Sequence, residues 1–228
     1  MGSIPGAFKD DHEMGFRLIG FGYFLAGIII ILAIIIAEAV YPGYHVTQYI
    51  SDLGAPSLSP HPCIFNISII IYGFIVFLVS LFFLLQNRSS GSGNRCSSTN
   101  SKTISFIFIM ISGICAIGVG AINEDLGVAH TLCAAFTFIF GILAAFFSGF
   151  WVKIPYNVIS AIIAVFSFIA LLFLVAEIDL GIGLGGIERM VAYPLILWEM
   201  GLGGYLMNEG KAMVLKEQPE QSDKNFIL

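Results

Sequence analysis

The chain is expected to fold as an all-α, polytopic integral membrane protein: a six-transmembrane-helix bundle of three hairpins with both termini cytoplasmic. Three observations predict this. The sequence is 57% hydrophobic and only 11% charged, with mean hydropathy +0.92, whereas soluble domains carry about 25% charged residues. It contains six apolar runs near the ~20-residue length that crosses a bilayer. When those runs are read as spans, nine of the ten Lys and Arg fall on one side.

The elements follow in order. Residues 1–16 form a polar cytoplasmic segment, and Gly6 stands where a myristoylation signal wants Ser or Thr. Span one, residues 18–40, is too long for a signal-peptide core and meets Tyr41-Pro42 instead of a small-residue cleavage site. Spans two and three cover 63–85 and 104–121, joined by a Ser/Gly/Asn-rich cytoplasmic loop, 87–102, that reads as a flexible linker. Span four, 130–151, carries small residues four apart (Gly141/Ala145, Ala144/Ser148, Ala145/Gly149), a stripe that lets helices approach closely. Pro155 suits the opening of span five, 156–176. Span six covers 187–207 and holds Pro194, which is expected to kink it. The six-helix domain thus occupies 17–208, and 209–228 is a polar cytoplasmic tail.

Charge sets the orientation. Lys9, Arg17, Arg88, Arg95, Lys102, Lys153, Lys211, Lys216 and Lys224 share the side of the termini, and only Arg189 lies opposite. The positive-inside rule makes the first side cytoplasmic and places the chain in a cell membrane with its three hairpin turns outside. Most of the potentially reactive side chains then gather in those outer turns. Of the four cysteines, none forms a Cys-x-x-Cys pair, so a structural zinc ribbon is not expected; Cys63 and Cys133 both fall near the outer surface, where a disulfide is a minor alternative.

The turns share a motif. Asp-Leu-Gly occurs at Asp52, at Asp125 and at Asp179, three copies where composition predicts roughly 0.07. In the first turn a short helix over 45–53 would place His45, Gln48 and Asp52 on one face, with Ser51 beside it. Asp52 as a simple cap, with Gly54 at positive φ, explains that copy about as well. In the second turn Asn123, Glu124, Asp125 and His130 lie close together, so His130 is placed to pair with a carboxylate or bind a metal. The third turn, with Gly181, Gly183, Gly185 and Gly186 ahead of Arg189, could present backbone N–H groups to an anion, although flexibility alone accounts for its glycines. No strand precedes it, so it is not a dinucleotide fingerprint.

Span six adds two carboxylates, Glu188 and Glu199, almost on one face and about 16 Å apart along the axis. Glu199 falls near mid-membrane, where an unpaired carboxylate is costly and marks function by default. Asn66, Ser68 and Ser112 are the expected hydrogen-bond partners of a purely structural Glu199. Three functions follow. A membrane-embedded enzyme, a hydrolase or transferase for a lipid or lipid-linked substrate, would use Asp52, His130, Glu188 and Arg189 as catalytic groups. His45, Gln48, Ser51, Asn66, Trp198 and Glu199 would bind the substrate. A divalent metal such as zinc would take His45, Asp52, Asp125 and His130. A cation- or proton-coupled transporter or channel would use the outer carboxylates and Glu199 instead. In a structural or ligand-sensing protein the three turns would only lock the hairpins. Expected partners are membrane lipids and, in an oligomer, further copies of the chain; nucleic acid is not expected.

Ser51-Asp52-Leu53-Gly54 leading to Phe65-Asn66, His130 opening span four, and Glu188-Arg189…Tyr193-Pro194…Trp198 resemble the uncharacterised membrane family called domain of unknown function 998. The likeness covers about residues 17–207. It implies a compact prokaryotic bundle of roughly six helices and a shared outer site of Asp52, Asn66, His130, Glu188 and Arg189. It implies no particular activity. A more distant likeness is to the alkaline-ceramidase superfamily of membrane zinc amidases, from which this chain departs by lacking a late His-x-x-x-His and a seventh span.

Overall fold

A computed structural model describes the backbone of residues 5–89 and 97–215 and the side chains of 14–87 and 100–209. The expectations for the linker 87–102, the N-terminal segment and the tail therefore lie wholly or partly outside the described residues. Among the described residues six α-helices follow one another: α1 Pro5–Ala39, α2 Pro62–Ser89, α3 Ser97–Ala121, α4 Val128–Ser148, α5 Tyr156–Val175 and α6 Leu184–Leu215. Each contains a stretch long and apolar enough to cross a membrane: Met14–Ala39, Pro62–Asn87, Asn100–Ala121, Val128–Ser148, Tyr156–Val175 and Leu184–Glu209. These match the expected spans to within a few residues. In hydrocarbon every backbone N–H and C=O must find its partner inside the segment, and the α-helix alone does that for a single strand of chain.

The helices close into a ring. α1 packs on α2 and α6, and the pairs α2·α3, α3·α4, α4·α5 and α5·α6 complete the circuit, with α4 also reaching α6. Glycine makes two of these contacts close. A Cβ on Gly73 of α2 would strike the carbonyl of Gly113 on α3, and one on Gly20 of α1 would strike that of Gly203 on α6. Such small residues replace a hydrophobic driving force, which lipid does not supply between helices. The expected stripe on α4 does the same work. Ala144, Ala145 and Ser148 are buried, and Ser105 of α3 donates to the Ala144 carbonyl at 2.9 Å.

Two apolar clusters divide the core along the bundle axis. One, extending toward the chain termini, includes Tyr23, Phe83, Phe106, Leu202 and Leu206, with Phe83 and Phe106 stacked at 3.6 Å. There Lys102 Nζ stands 4.4, 5.2 and 5.1 Å from the ring centroids of Phe16, Phe83 and Trp151. The other cluster lies beneath the hairpin turns and holds Ile30, Ile34, Ile50, Leu53, Phe65 and Ile196. α6 runs unbroken through Pro194. Cys63, Cys115 and Cys133 are free thiols, so the Cys63–Cys133 bridge is not formed.

Candidate functional site

The first turn is not the helix expected over 45–53. Only Ser51–Gly54 are helical, as a single 3-10 turn. The reason is competition for backbone groups: the Ile50 N–H is taken by Glu188 Oε2 at 2.5 Å, and the Val46 carbonyl it would meet in a helix is taken by Arg189 at 2.9 Å. His45, Gln48 and Asp52 therefore do not form one catalytic face. Asp52 Oδ2 accepts from the Tyr49 N–H at 3.1 Å, which makes it a local cap. Its carboxyl is pushed above the ordinary value, first by burial and then by the nearby Glu124.

The three Asp-Leu-Gly copies have three different structures. Leu53 is fully buried, while Leu126 and Leu180 are exposed. Gly54 is required by close approach to Phe65 and Asn66, not by positive φ; Gly127 and Gly181 do have positive φ, at 56° and 80°. Asp125 reaches across to the first turn, accepting from the Ser57 N–H at 3.0 Å and the Ser57 hydroxyl at 2.5 Å. Asp179 accepts from the Gly181 N–H at 3.0 Å within its own turn. The shared motif is not a shared site.

Arg189 fastens the first turn to α6. Its guanidinium donates to the carbonyls of Val46, Gln48 and Gly185 at 2.9, 2.8 and 2.9 Å. It also donates to Glu38 Oε1 at 2.7 Å and to the Tyr44 hydroxyl at 2.5 Å. Tyr44 donates its own O–H to the Tyr49 carbonyl at 2.8 Å, and burial pushes its phenol up to about 12. The glycines of the third turn belong to the same clamp. The Gly185 N–H bonds the Thr47 carbonyl at 3.0 Å, and a Cβ on Gly183 or Gly185 would collide with Thr47 or Gln48. Those glycines serve backbone contact in place of anion binding, and the side chain of Arg189 is held by this clamp.

Beneath the clamp the ring surrounds a partly open cavity of about 90 Å³. Ser51, His130 and Glu188 line it near the turns, Trp198 and Glu199 line it deeper, and the wall between is mainly Ile30, Ile34, Ile69, Val119 and Ile196. Of the expected site residues, then, five meet at one cavity. Asp52, His45, Gln48, Asn66, Asp125 and Arg189 do not line it. Asn66 donates to the Gly54 carbonyl at 2.9 Å, while its Oδ1 is buried and unpartnered. Trp198 Nε1 donates to Ser160 Oγ at 3.0 Å.

His130 opens α4 and is buried. Its Nδ1 lies 2.6 Å from the Ile122 carbonyl, which only accepts, so Nδ1 carries a proton. Nε2 stands 2.8 Å from Glu124 Oε2, an ion-pair distance at angles outside a hydrogen bond. The His130 contact draws the Glu124 carboxyl below its ordinary value, against half-burial and with help from Ser51. The four residues expected to bind zinc are not assembled: His45 is exposed, Asp125 holds Ser57 and His130 holds Glu124. Among the described residues no group of three or more His, Cys, Asp or Glu is arranged to hold a metal ion. Glu199 Oε2 accepts from the Tyr72 hydroxyl at 2.5 Å, so its partner is Tyr72, not Asn66, Ser68 or Ser112.

Sequence reasoning missed Glu38, Tyr44 and Tyr72 altogether and left Glu124 out of the site. Glu124 carried a signal, six residues before His130 in a turn short enough to bring them together, and so did Glu38, a carboxylate inside the first apolar span.

The family described as "Protein of unknown function (DUF998)" matches residues 24–204. The chain belongs to that family. The DUF998 match starts inside α1 and ends inside α6, so it takes in the Arg189 clamp and the whole cavity lining. No curated protein and no solved structure matches the chain.

Proposed function

We propose that this DUF998 protein is a membrane-embedded enzyme acting on a lipid or lipid-linked substrate, with its chemistry at the turn end of the cavity. One observation carries the reading: an apolar cavity inside the helix ring meets a carboxylate, an imidazole and a hydroxyl at a single end. The apolar wall suits a hydrocarbon chain, and Glu188, His130 and Ser51 suit a polar head. In this mechanism Glu188 takes the proton of an attacking water or substrate hydroxyl as that oxygen bonds to the head group. The bond to the leaving group breaks, and His130 Nε2 returns a proton to it. Glu124 stabilises the imidazolium before the transfer, and Ser51, whose hydroxyl donates to Glu124, accepts from the head group. The positive-inside distribution supports an orientation with this end outside the cytoplasm and the opposite end, with Lys102 and Lys153, on the cytoplasmic face.

The test is a comparison of membrane lipids, by mass spectrometry, from cells making the wild-type protein or Glu188→Gln. A lipid species that changes with the wild type and is restored in the variant, at equal amounts of folded protein, is expected. Identical lipid profiles would end the enzyme reading.

A second reading has one observation in its favour. Glu199 is buried halfway along the bundle, as a proton or cation site would be. Transport predicts cation or proton flux in liposomes that disappears in Glu199→Gln, and the absence of flux removes it.

A further inference from the structure

The deep end of the cavity has polar groups that the acid–base chemistry at the turns does not use. Their hydrogens are nearly all committed. Tyr72 donates to Glu199 Oε2 at 2.5 Å, Ser112 to the Thr137 carbonyl at 2.9 Å and Thr137 to the Cys133 carbonyl at 2.9 Å. The indole N–H of Trp198 goes to Ser160. Around them the wall is Ile109, Phe138 and Leu195. Glu199 is only 4% exposed, and its Oε1 is buried with no hydrogen-bond partner. A carboxylate oxygen left bare in apolar surroundings is expensive, and a donor offsets that cost.

We propose that the deep end is a binding subsite for the hydrogen-bond-donating end of a linear amphiphile, an alcohol or a primary amine, received by Glu199 Oε1. The lining supports this twice over. With the neighbouring O–H and N–H groups given away, the pocket offers acceptors and asks for a donor. With Glu188 lining the other end, about 16 Å away along α6, and mainly apolar side chains between, the lining suits an apolar chain and not a compact polar solute. The proposal deepens the lipid-substrate reading and rests on it for the second, reacting end of the ligand: the substrate is a chain with polar groups at both ends.

The experiment uses the purified full chain in detergent and three probes: 1-heptanol, its isomer hexyl methyl ether, and heptylamine. The ether matches the alcohol in size but has no donor. Binding is read from Trp198 fluorescence, with Trp151→Phe removing the second of the two tryptophans. The alcohol and the amine are expected to bind at least ~10-fold more tightly than the ether, because a site built around a hydrogen bond rejects an analogue lacking it. Glu199→Leu should erase the preference. Glu199→Gln, which keeps an acceptor but not the charge, should retain the preference for the alcohol and lose the extra affinity for the amine. An advantage for the alcohol alone assigns a hydroxyl ligand, and a larger one for the amine assigns an ammonium. Equal binding of ether and alcohol, no binding of any probe, or an amine preference untouched by Glu199→Gln would overturn the proposal. Glu188→Gln separates the two claims: it should abolish turnover and leave probe binding intact, so either can fail alone.

Discussion

Arg189 shows at the scale of one residue how this protein uses charge. Five acceptors around a single guanidinium, two of them sharing an N–H, join α6, the end of α1 and the first turn, with Glu38 as the balancing carboxylate. Lysine has the charge but not the planar fork. Arg189→Lys should therefore lower stability by about 2 kcal/mol, seen as a reduced unfolding temperature in detergent; an unchanged temperature would show that the clamp is ornamental. Glu124 gives a pH dependence with a definite sign. Its carboxyl titrates below the ordinary value because of His130, so its stabilisation is fully present above the unfolded-state value, 4.5, and is lost as pH falls through the lowered folded one. Asp52 has the opposite sign, since its raised value favours the protonated form and its contribution fades as pH rises. Between neutral and acid pH the wild type should lose more stability than Glu124→Gln, and parallel curves would contradict the His130 pairing. Neither Tyr72 nor Tyr44 was legible in the sequence, because a tyrosine in an apolar run reads as packing until its hydroxyl is seen to meet Glu199 or Arg189.

Helix contacts are decided by where a side chain is missing. Gly73 and Gly113 face one another across α2 and α3, so Gly73→Leu forces the backbones apart at an estimated 1–3 kcal/mol or more. Gly204, on α6 with nothing near its would-be Cβ, is the control, and Gly204→Ala should be neutral or stabilising. Similar unfolding temperatures for the two variants would refute the close crossing. The six spans were legible because bilayer thickness imposes length and apolarity on every one of them. The turns were less so. A repeated Asp-Leu-Gly suggested three equivalent sites, yet Leu53 is buried while Leu126 and Leu180 face outward. Local spacing cannot show that Glu188, 138 residues away in the chain, takes the Ile50 N–H and prevents a helix over 45–53. His130, Glu188 and Glu199 were identifiable because polar groups in apolar helices stand out; that they share one cavity depended on which faces the ring turns inward.

For the whole molecule, orientation and function are linked, because the proposed reacting end is the end where Arg189 is the single Lys or Arg. Cys63 gives a direct reading of this. It is a free, exposed thiol at the start of α2, on the turn side of the bundle. A membrane-impermeant maleimide should label it in intact cells, and Cys63→Ser should remove that label; labelling only after lysis would invert the topology. The central claim is that the ring holds a lipid or lipid-linked molecule in the cavity between Glu188 and Glu199. Native mass spectrometry of the purified protein tests it most directly, by comparing the wild type with Ala134→Trp, which fills the cavity from α4. The account predicts a bound lipid that survives transfer from detergent with the wild type and is lost from the folded variant. The same adduct on both proteins, or none on either, would contradict it.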